Sequence, residues 1–365
     1  MSNLSIFNGA RVLLTGHTGF KGSWLGLWLS QLGAQVSGVS IGVPSEPSHF
    51  MAADLAHILQ DHCLDIRNVG ALKEHIAEFK PDFVFHLAAQ ALVRRSYSDP
   101  VETWLTNVMG TINVLEALRC LQNPCVALMI TSDKCYDNVE WPWGYRETDA
   151  LGGPDPYSAS KGAAELAIRS YVRSFFPADG LVRIGVGRAG NVIGGGDWAG
   201  DRIVPDCMRA WLQGETVHLR NPSSTRPWQH VLEPLSGYLN LAMALKANAD
   251  FHGQPFNFGP PPQQNHSVGE LVLEMSKYWD KVRWVGASVG ASGTYESALL
   301  KLNCDKALFY LSWLAVWDFP TTVQQTVLWY RSYYEQPTQS IRDFSLRQIS
   351  DYVQFAKSRG LVWAQ

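Results

Sequence analysis

Ser132, Asp133, Lys134, Tyr157 and Lys161 are the residues whose types and spacing invite chemistry. A serine hydroxyl, a tyrosine phenol and, four residues beyond it, a lysine amine are the working parts of alcohol oxidation by hydride transfer to a nicotinamide. Tyr157 and Lys161 are one helical turn apart, so both side chains can project from one face. A nearby ammonium, and the positive nicotinamide ring of NAD+, would lower the phenol's pKa and let Tyr157 take a hydroxyl proton as hydride leaves the carbon. Ser132 would hydrogen-bond the reacting oxygen, while Lys161 would tune Tyr157 and hold the nicotinamide ribose. Asp133 and Lys134, directly after the serine, are surplus to hydride transfer and point to a second proton-transfer step.

These side chains need a scaffold that brings them together. Ser132 ends the apolar run 126–132, at the C-terminal end of a candidate strand, where open α/β sheets bind their ligands. Further strand-like runs lie at 11–15, 35–41, 82–88 and 181–188. They alternate with helical spacing at 24–32, 69–79, 101–121 and 158–175. The alternation predicts an α/β fold, a Rossmann-type doubly wound parallel sheet. After Arg188 the chain turns to Gly194-Gly195-Gly196-Asp197-Trp198, proline-punctuated segments and isolated short strands at 215–220 and 254–258. A smaller α/β substrate-binding domain is expected there. A helix-like stretch at 235–245 suggests that the chain returns, so residues 1–190 with a return segment around 226–256 form the NAD-binding domain. Residues 191–225 and 257–365 form the second, interleaved one.

The first strand runs into Thr15-Gly16-His17-Thr18-Gly19-Phe20-Lys21-Gly22. Glycines there permit a tight turn, close approach of backbone to a pyrophosphate and close helix–strand packing, and the helix N-terminus favours phosphate charge. The second strand, however, ends in Ser40-Ile41-Gly42-Val43-Pro44 with no carboxylate before Glu46 to bind the adenosine ribose, and no arginine for a 2′-phosphate. NAD remains the expected cofactor, with Ser40 and backbone groups at the ribose and weak discrimination against NADP.

Composition narrows the class further. With 365 residues, 46% hydrophobic and 17% charged, and a formal charge of −3, the chain has no basic block to capture nucleic acid or an anionic membrane. Its six cysteines form no Cys-x-x-Cys pair, which suits a reducing compartment and argues against a structural metal. Residues 1–10 lack the basic head and apolar core of an export signal, and no apolar stretch reaches a membrane span, so a cytoplasmic location is expected.

The Gly-x-x-Gly-x-x-Gly spacing of Gly16, Gly19 and Gly22 resembles that of extended short-chain dehydrogenase/reductases. Asp65-Ile66 is similar to that family's adenine-contacting pair, and His86-Leu87-Ala88-Ala89-Gln90 to the segment beneath the cofactor. Asn107 matches a common helix asparagine. Ser132-Asp133-Lys134 resembles the Thr-Asp-Glu segment of nucleotide-sugar 4,6-dehydratases, with Glu replaced by Lys134. The runs 131–138, 140–147 and 155–157 and the opening 15–25 most resemble the CDP-glucose branch. This resemblance implies a cytoplasmic enzyme of surface-polysaccharide deoxysugar synthesis, a homo-oligomer (dimer or tetramer) built through the Tyr157 helix and residues 101–121, with CDP-glucose as substrate. It further implies oxidation at C4, loss of water across C5–C6 with Asp133 as acid and Lys134 as base, and reduction at C6. For that role Lys134 must be neutral or work through a relay such as Glu147. Gln90, Asn191, Arg202 and Arg226 fall in segments similar to those that bind substrate. A nucleotide-sugar 4-epimerase, a dehydratase for another nucleotide sugar and a catalytically silent nicotinamide-binding scaffold are the competing readings; Asp133 and Lys134 disfavour the first.

Overall fold

A computed structural model describes residues 3–219, 221–286 and 299–365. Position 220, the last of the expected strand 215–220, lies outside the described residues, as do 287–298 of the expected second domain.

Seven strands form one parallel sheet: β1 (Arg11–Thr15), β2 (Gln35–Ser40), β3 (Gln60–Cys63), β4 (Phe83–His86), β5 (Cys125–Ile130), β6 (Val182–Ala189) and the edge strand Pro255–Phe258. The spatial order is edge strand, β6, β5, β4, β1, β2, β3, and every pairing is parallel. The order reverses between β1 and β4, which opens a crevice beyond their C-terminal ends. The fold is thus the predicted Rossmann-type sheet.

Alternation along the strands explains why both faces are covered. Val12 and Leu14 join one hydrophobic cluster and Leu13 the other, while Ala127 and Met129 oppose Val126, Leu128 and Ile130. On the first face lie the Phe20–Gln31 and Leu232–Ala247 helices with the C-terminal helices Phe319–Glu335 and Ile341–Ser358. On the second lie Val69–Phe79, Gly110–Leu118 and Pro156–Phe175. Glu233, fully buried at the start of Leu232–Ala247, binds the C-terminal region: it accepts from the N–H groups of Val316 (2.8 Å) and Trp317 (2.7 Å) and the Tyr352 hydroxyl (2.7 Å).

Two expectations change, and one strand joins those expected. Strand β3, Gln-Asp-His-Cys, has no apolar pattern because it is largely exposed at the sheet edge. The stretch expected as an isolated strand at 254–258 instead pairs along β6. The helix expected over 101–121 is interrupted: Pro100–Trp104 passes into a π-helical turn, Leu105–Met109, before Gly110–Leu118. The wider turn sends Asn107 inward to 2% exposure, and such turns favour functional sites.

Candidate active site

At the end of β1, Gly16 adopts φ +76°, and a Cβ on Gly22 would lie 2.0 Å from the Gly16 carbonyl oxygen, so the turn closes directly onto the Phe20–Gln31 helix. Gly19, its N-cap, offers no side chain to the first-turn N–H groups of Phe20, Lys21 and Gly22, which are left to a ligand. The crevice wall opposite is the half-buried Leu87-Ala88-Ala89, tied to β1 by the Ala88 N–H donating to Thr15 Oγ1 at 3.2 Å. Asn107 fixes the next residue from both sides: it accepts from the Gln90 N–H (2.9 Å) and donates to the Gln90 carbonyl (3.1 Å) and to Ser160 Oγ (2.9 Å). The Gln90 side chain is itself engaged, accepting from Leu92 N–H and donating to Thr103 Oγ1 at 2.9 Å. Both amides therefore shape the loop.

The end of β2, where the sequence places adenosine, holds residues that sequence reasoning missed. Ser40 Oγ lies 3.0 Å from His17 Nδ1 and 3.4 Å from the Thr18 N–H, and His17 Nε2 reaches Asp61 at 2.8 Å. The Thr18 hydroxyl donates to the Gly42 carbonyl at 2.7 Å. Burial lowers the His17 pKa against the pull of Asp61. Asp61 belongs to β3, whose polar sequence gave no strand signal. Asp65 is clasped by Arg67 through Nε (2.9 Å) and Nη2 (2.7 Å), which holds its carboxyl below the usual range, and Ile66 is buried beside it.

The chemistry-bearing residues converge where β5 ends. Ser132 caps the short turn Asp133–Cys135: its Oγ accepts from the Lys134 N–H at 3.2 Å and donates to Asp133 Oδ1 at 2.9 Å. Tyr157 and Lys161 come from the first turns of Pro156–Phe175, a helix capped by Asp155, which accepts from the Ser158 N–H at 2.9 Å. Burial pushes the Tyr157 phenol up to about 12; the nearby Ser132 hydroxyl and the charge of Arg202 oppose it, and Asp133 adds to it. Burial also raises Asp133, against Lys134, Ser132 and Lys21, and lowers Lys161 to about 8.

Lys21 belongs to this group too. The sequence assigns it to the cofactor turn, yet burial lowers it to about 8 and its charged neighbours are Asp133, Arg202 and Lys161. Arg202 is held by Asp197 at 2.8 Å, and the Tyr330 hydroxyl donates to the Asp197 carbonyl. Ser132, Asp133, Tyr157, Lys161, Lys21 and Arg202 therefore share one recess, with Lys134 half-buried at its edge. Arg226 lies on the ribbon Thr225–Arg226 that pairs with His266–Ser267, and Asn191 follows β6, directly after Gly190, whose Cα faces Asp133. Glu147 turns to the Asn257 N–H at 2.9 Å, with Lys306 and Arg188 as its cationic neighbours.

Behind the recess, Glu165 accepts from Arg188 Nε and Nη2, both at 2.8 Å, and from the Thr131 hydroxyl at 2.5 Å. Arg188 also donates to the Tyr136 hydroxyl at 2.7 Å. Glu165 follows Lys161 by one helical turn, a spacing from which it could have been found. Among the described residues no three metal-ligating side chains are gathered, and no helix is long and apolar enough to cross a membrane.

A parallel sheet with this turn and a Ser/Tyr/Lys group at its crevice defines a short-chain dehydrogenase/reductase. Residues 13–294 match the family model described as GDP-mannose 4,6 dehydratase, and the chain belongs to that family of nucleotide-sugar enzymes. It is 46% identical over 358 residues to the CDP-glucose 4,6-dehydratase of Salmonella typhimurium, covering 97% of this chain and 99% of that protein. The CDP-paratose 2-epimerase of Salmonella typhi is 32% identical over 302 residues, 73% of this chain and 84% of its own. Among solved structures, a UDP-glucose-4-epimerase from Stenotrophomonas maltophila with bound NAD shares the fold at a TM-score of 0.76 and 21% identity, covering 89% of this chain and 99% of that one.

Proposed function

We propose that this chain is an NAD-dependent CDP-glucose 4,6-dehydratase, a hydro-lyase that converts CDP-D-glucose to CDP-4-dehydro-6-deoxy-D-glucose. The observation that carries this reading is Asp133: a carboxyl raised by burial, in the same recess as Ser132 and Tyr157. An alcohol-oxidising phenol and a proton donor in one site are what oxidation at C4 followed by loss of water requires. Support for the CDP-glucose substrate comes from the 46% identity to the Salmonella typhimurium enzyme.

The residues fit NAD. The glycine turn leaves first-turn N–H groups for its pyrophosphate, with Gly16, Thr18, Gly19, Phe20, Lys21 and Gly22 around them. Ser40, Asp65 and Ile66 flank the adenosine end, and Leu87, Ala88 and Ala89 form the wall. Asn107 positions that wall through Gln90. When bound, NAD would supply the acceptor for hydride from C4 and the source of the hydride returned to C6.

The chain's own residues do the proton work. Tyr157 takes the C4 hydroxyl proton, with Arg202 and Lys161 supplying positive charge in the recess. The new C4 carbonyl makes the C5 proton acidic by delocalising the carbanion. Asp133 protonates the departing C6 hydroxyl. The base at C5 is assigned to a neutral amine: Lys134 adjoins Asp133 in sequence, while Lys21 is half-buried with Asp133 as a charged neighbour and is held at about 8, which favours it as a second candidate. Arg202 and Arg226 are assigned to the diphosphate, for which a planar guanidinium is suited, and Asn191 to the sugar diphosphate.

Exposed Val101, Trp104, Leu105 and Met109, with Leu166 on the Tyr157 helix, support a homo-oligomer through this face. Six free thiols fit a reducing cytoplasm. Incubation with NAD+ and a panel of nucleotide-glucoses, followed by mass spectrometry, tests the reading. Loss of water from CDP-glucose is expected. An isomer of unchanged mass would mean an epimerase, and no conversion of any sugar would mean a binding scaffold.

A further inference from the structure

We propose that Tyr136 is a positioning residue for the loss of water: its buried hydroxyl fastens the turn that carries Asp133 and Lys134 to the helix that carries Tyr157 and Lys161. This rests on the dehydration proposed above, in which one bound sugar is served by both elements. Tyr157 acts at C4, the amine at C5 and Asp133 at C6, so the spacing of turn and helix must match the spacing of neighbouring carbons in one hexose. A misplacement of about 1 Å is enough to cost about 100-fold in rate.

The turn is weakly held by its own bonds. Asp133–Cys135 is a single turn of three residues, closed by the Cys135 N–H donating to the Ser132 carbonyl at 3.2 Å and the Tyr136 N–H to the Asp133 carbonyl at 3.3 Å. At its near end the sheet anchors it, through the Thr131 N–H donating to the Gly187 carbonyl at 3.0 Å. At its far end Tyr136 does so. That hydroxyl donates to Asn257 Oδ1 at 2.8 Å and accepts from Arg188 Nη1 at 2.7 Å, while Nε and Nη2 of Arg188 grip Glu165, one helical turn beyond Lys161. Asn257 is itself fixed, donating to the Tyr145 and Asn303 carbonyls at 2.9 and 3.0 Å. Tyr136 is buried, and burial pushes its phenol well up, so it stays a neutral donor beside the Arg188 charge. On the helix side, Gly162 admits the turn at close range: a Cβ there would stand 3.2 Å from the Cys135 carbonyl oxygen. Tyr157 does not depend on the Tyr136 hydroxyl, because its helix keeps the Asp155 cap and the Glu165–Arg188 pair without it.

Two variants disturb the turn from opposite sides. Tyr136→Phe deletes the hydroxyl and keeps the ring, whereas Gly162→Ala deletes no hydrogen bond and presses a methyl group against the turn. In stopped-flow mixing with NAD+ and CDP-glucose, both should form reduced cofactor within about threefold of the wild-type rate. Its decay, which reports loss of water and return of hydride to C6, should slow ~30-fold in Tyr136→Phe and about tenfold in Gly162→Ala, so that kcat falls while KM holds. A second readout needs neither substrate nor cofactor. By 13C NMR of labelled aspartate, with Asp133→Asn giving the assignment, Tyr136→Phe should move the Asp133 titration down toward the ordinary aspartate range, because a loosened turn readmits water. A role in the fold alone would slow both phases together and leave that titration where it was. Equal slowing of the two phases, an unslowed decay or an unmoved Asp133 titration overturns the positioning role; if Tyr136→Phe does not fold, the phases of Gly162→Ala decide. Absence of dehydration by the wild-type protein would instead remove the functional reading, and the role of Tyr136 with it.

Discussion

Two carboxylates lie buried around the end of β5, and they have opposite characters. Glu165 receives both arms of Arg188 and a threonine hydroxyl, so its charge is compensated on every side. Asp133 receives one serine hydroxyl and feels Lys134 and Lys21 as neighbouring charges, and burial raises its pKa. Burial alone does not make a catalytic acid. What separates the two is their partners: paired on both arms with Arg188 and with a threonine hydroxyl, Glu165 is structural, while the burial that raises Asp133, only partly offset by its neighbours, leaves it able to give a proton away.

The sharpest way to break this contrast is Asp133→Asn, which keeps the shape and removes the proton. Dehydration should fall by about 10²–10⁴-fold while thermal stability barely changes, and the reduced cofactor should accumulate as its absorbance because C4 oxidation no longer leads to loss of water. Normal turnover by this variant would end the assignment of Asp133.

On the other side, Arg188→Met strands Glu165 without its cation and should cost about 3–5 kcal/mol in denaturant unfolding. A loss well under 1 kcal/mol would show that the pair is not the lock described.

Glu233 is the intermediate case, with three hydrogen-bond donors and Arg359 as a further charge, and burial raises it to about 7. Since the native state keeps this proton between the ordinary glutamate range and about 7 while the unfolded chain releases it, stability should decline as pH rises through that window. The decline from this group is at most about 3 kcal/mol. Stability measured against pH in wild type and Glu233→Gln checks it; an unchanged slope in the variant would assign the dependence elsewhere.

The smallest effect sharpens the comparison on the amine side. Lys21→Met should lower dehydration ~10–100-fold and abolish the rise in rate as pH passes upward through about 8, where the Lys21 amine becomes neutral. Lys134→Met should retain that rise. NAD+ affinity, measured separately, distinguishes loss of the base from damage to the cofactor turn; the reverse pattern would return the role to Lys134.

Much of this recess was legible in the chain because its parts are local. The serine, aspartate and lysine are consecutive, Tyr157 and Lys161 share a helical turn, and the strand pattern at 126–132 placed them at a sheet end. What stayed hidden depends on distant partners. Glu165 acquires its meaning from Arg188 on β6, and Lys21 meets Asp133 only because the ends of β1 and β5 converge across β4. Asp61 rides on a polar edge strand with no periodicity to announce it, and the π turn that carries Asn107 inward keeps nearly the apolar spacing of an ordinary helix.

Arg202 is more than a charge beside Tyr157, because its carboxylate partner is anchored in the C-terminal region. Asp197 is bound through its carbonyl by Tyr330, and the adjoining Trp198 donates its indole N–H to Tyr334 at 2.8 Å and packs edge-on to Tyr333 at 4.9 Å. If a diphosphate engages Arg202 as proposed, it should perturb an indole enclosed by tyrosines, and substrate arrival should carry its own optical signal: a change in tryptophan emission that needs no label, no turnover and no cofactor.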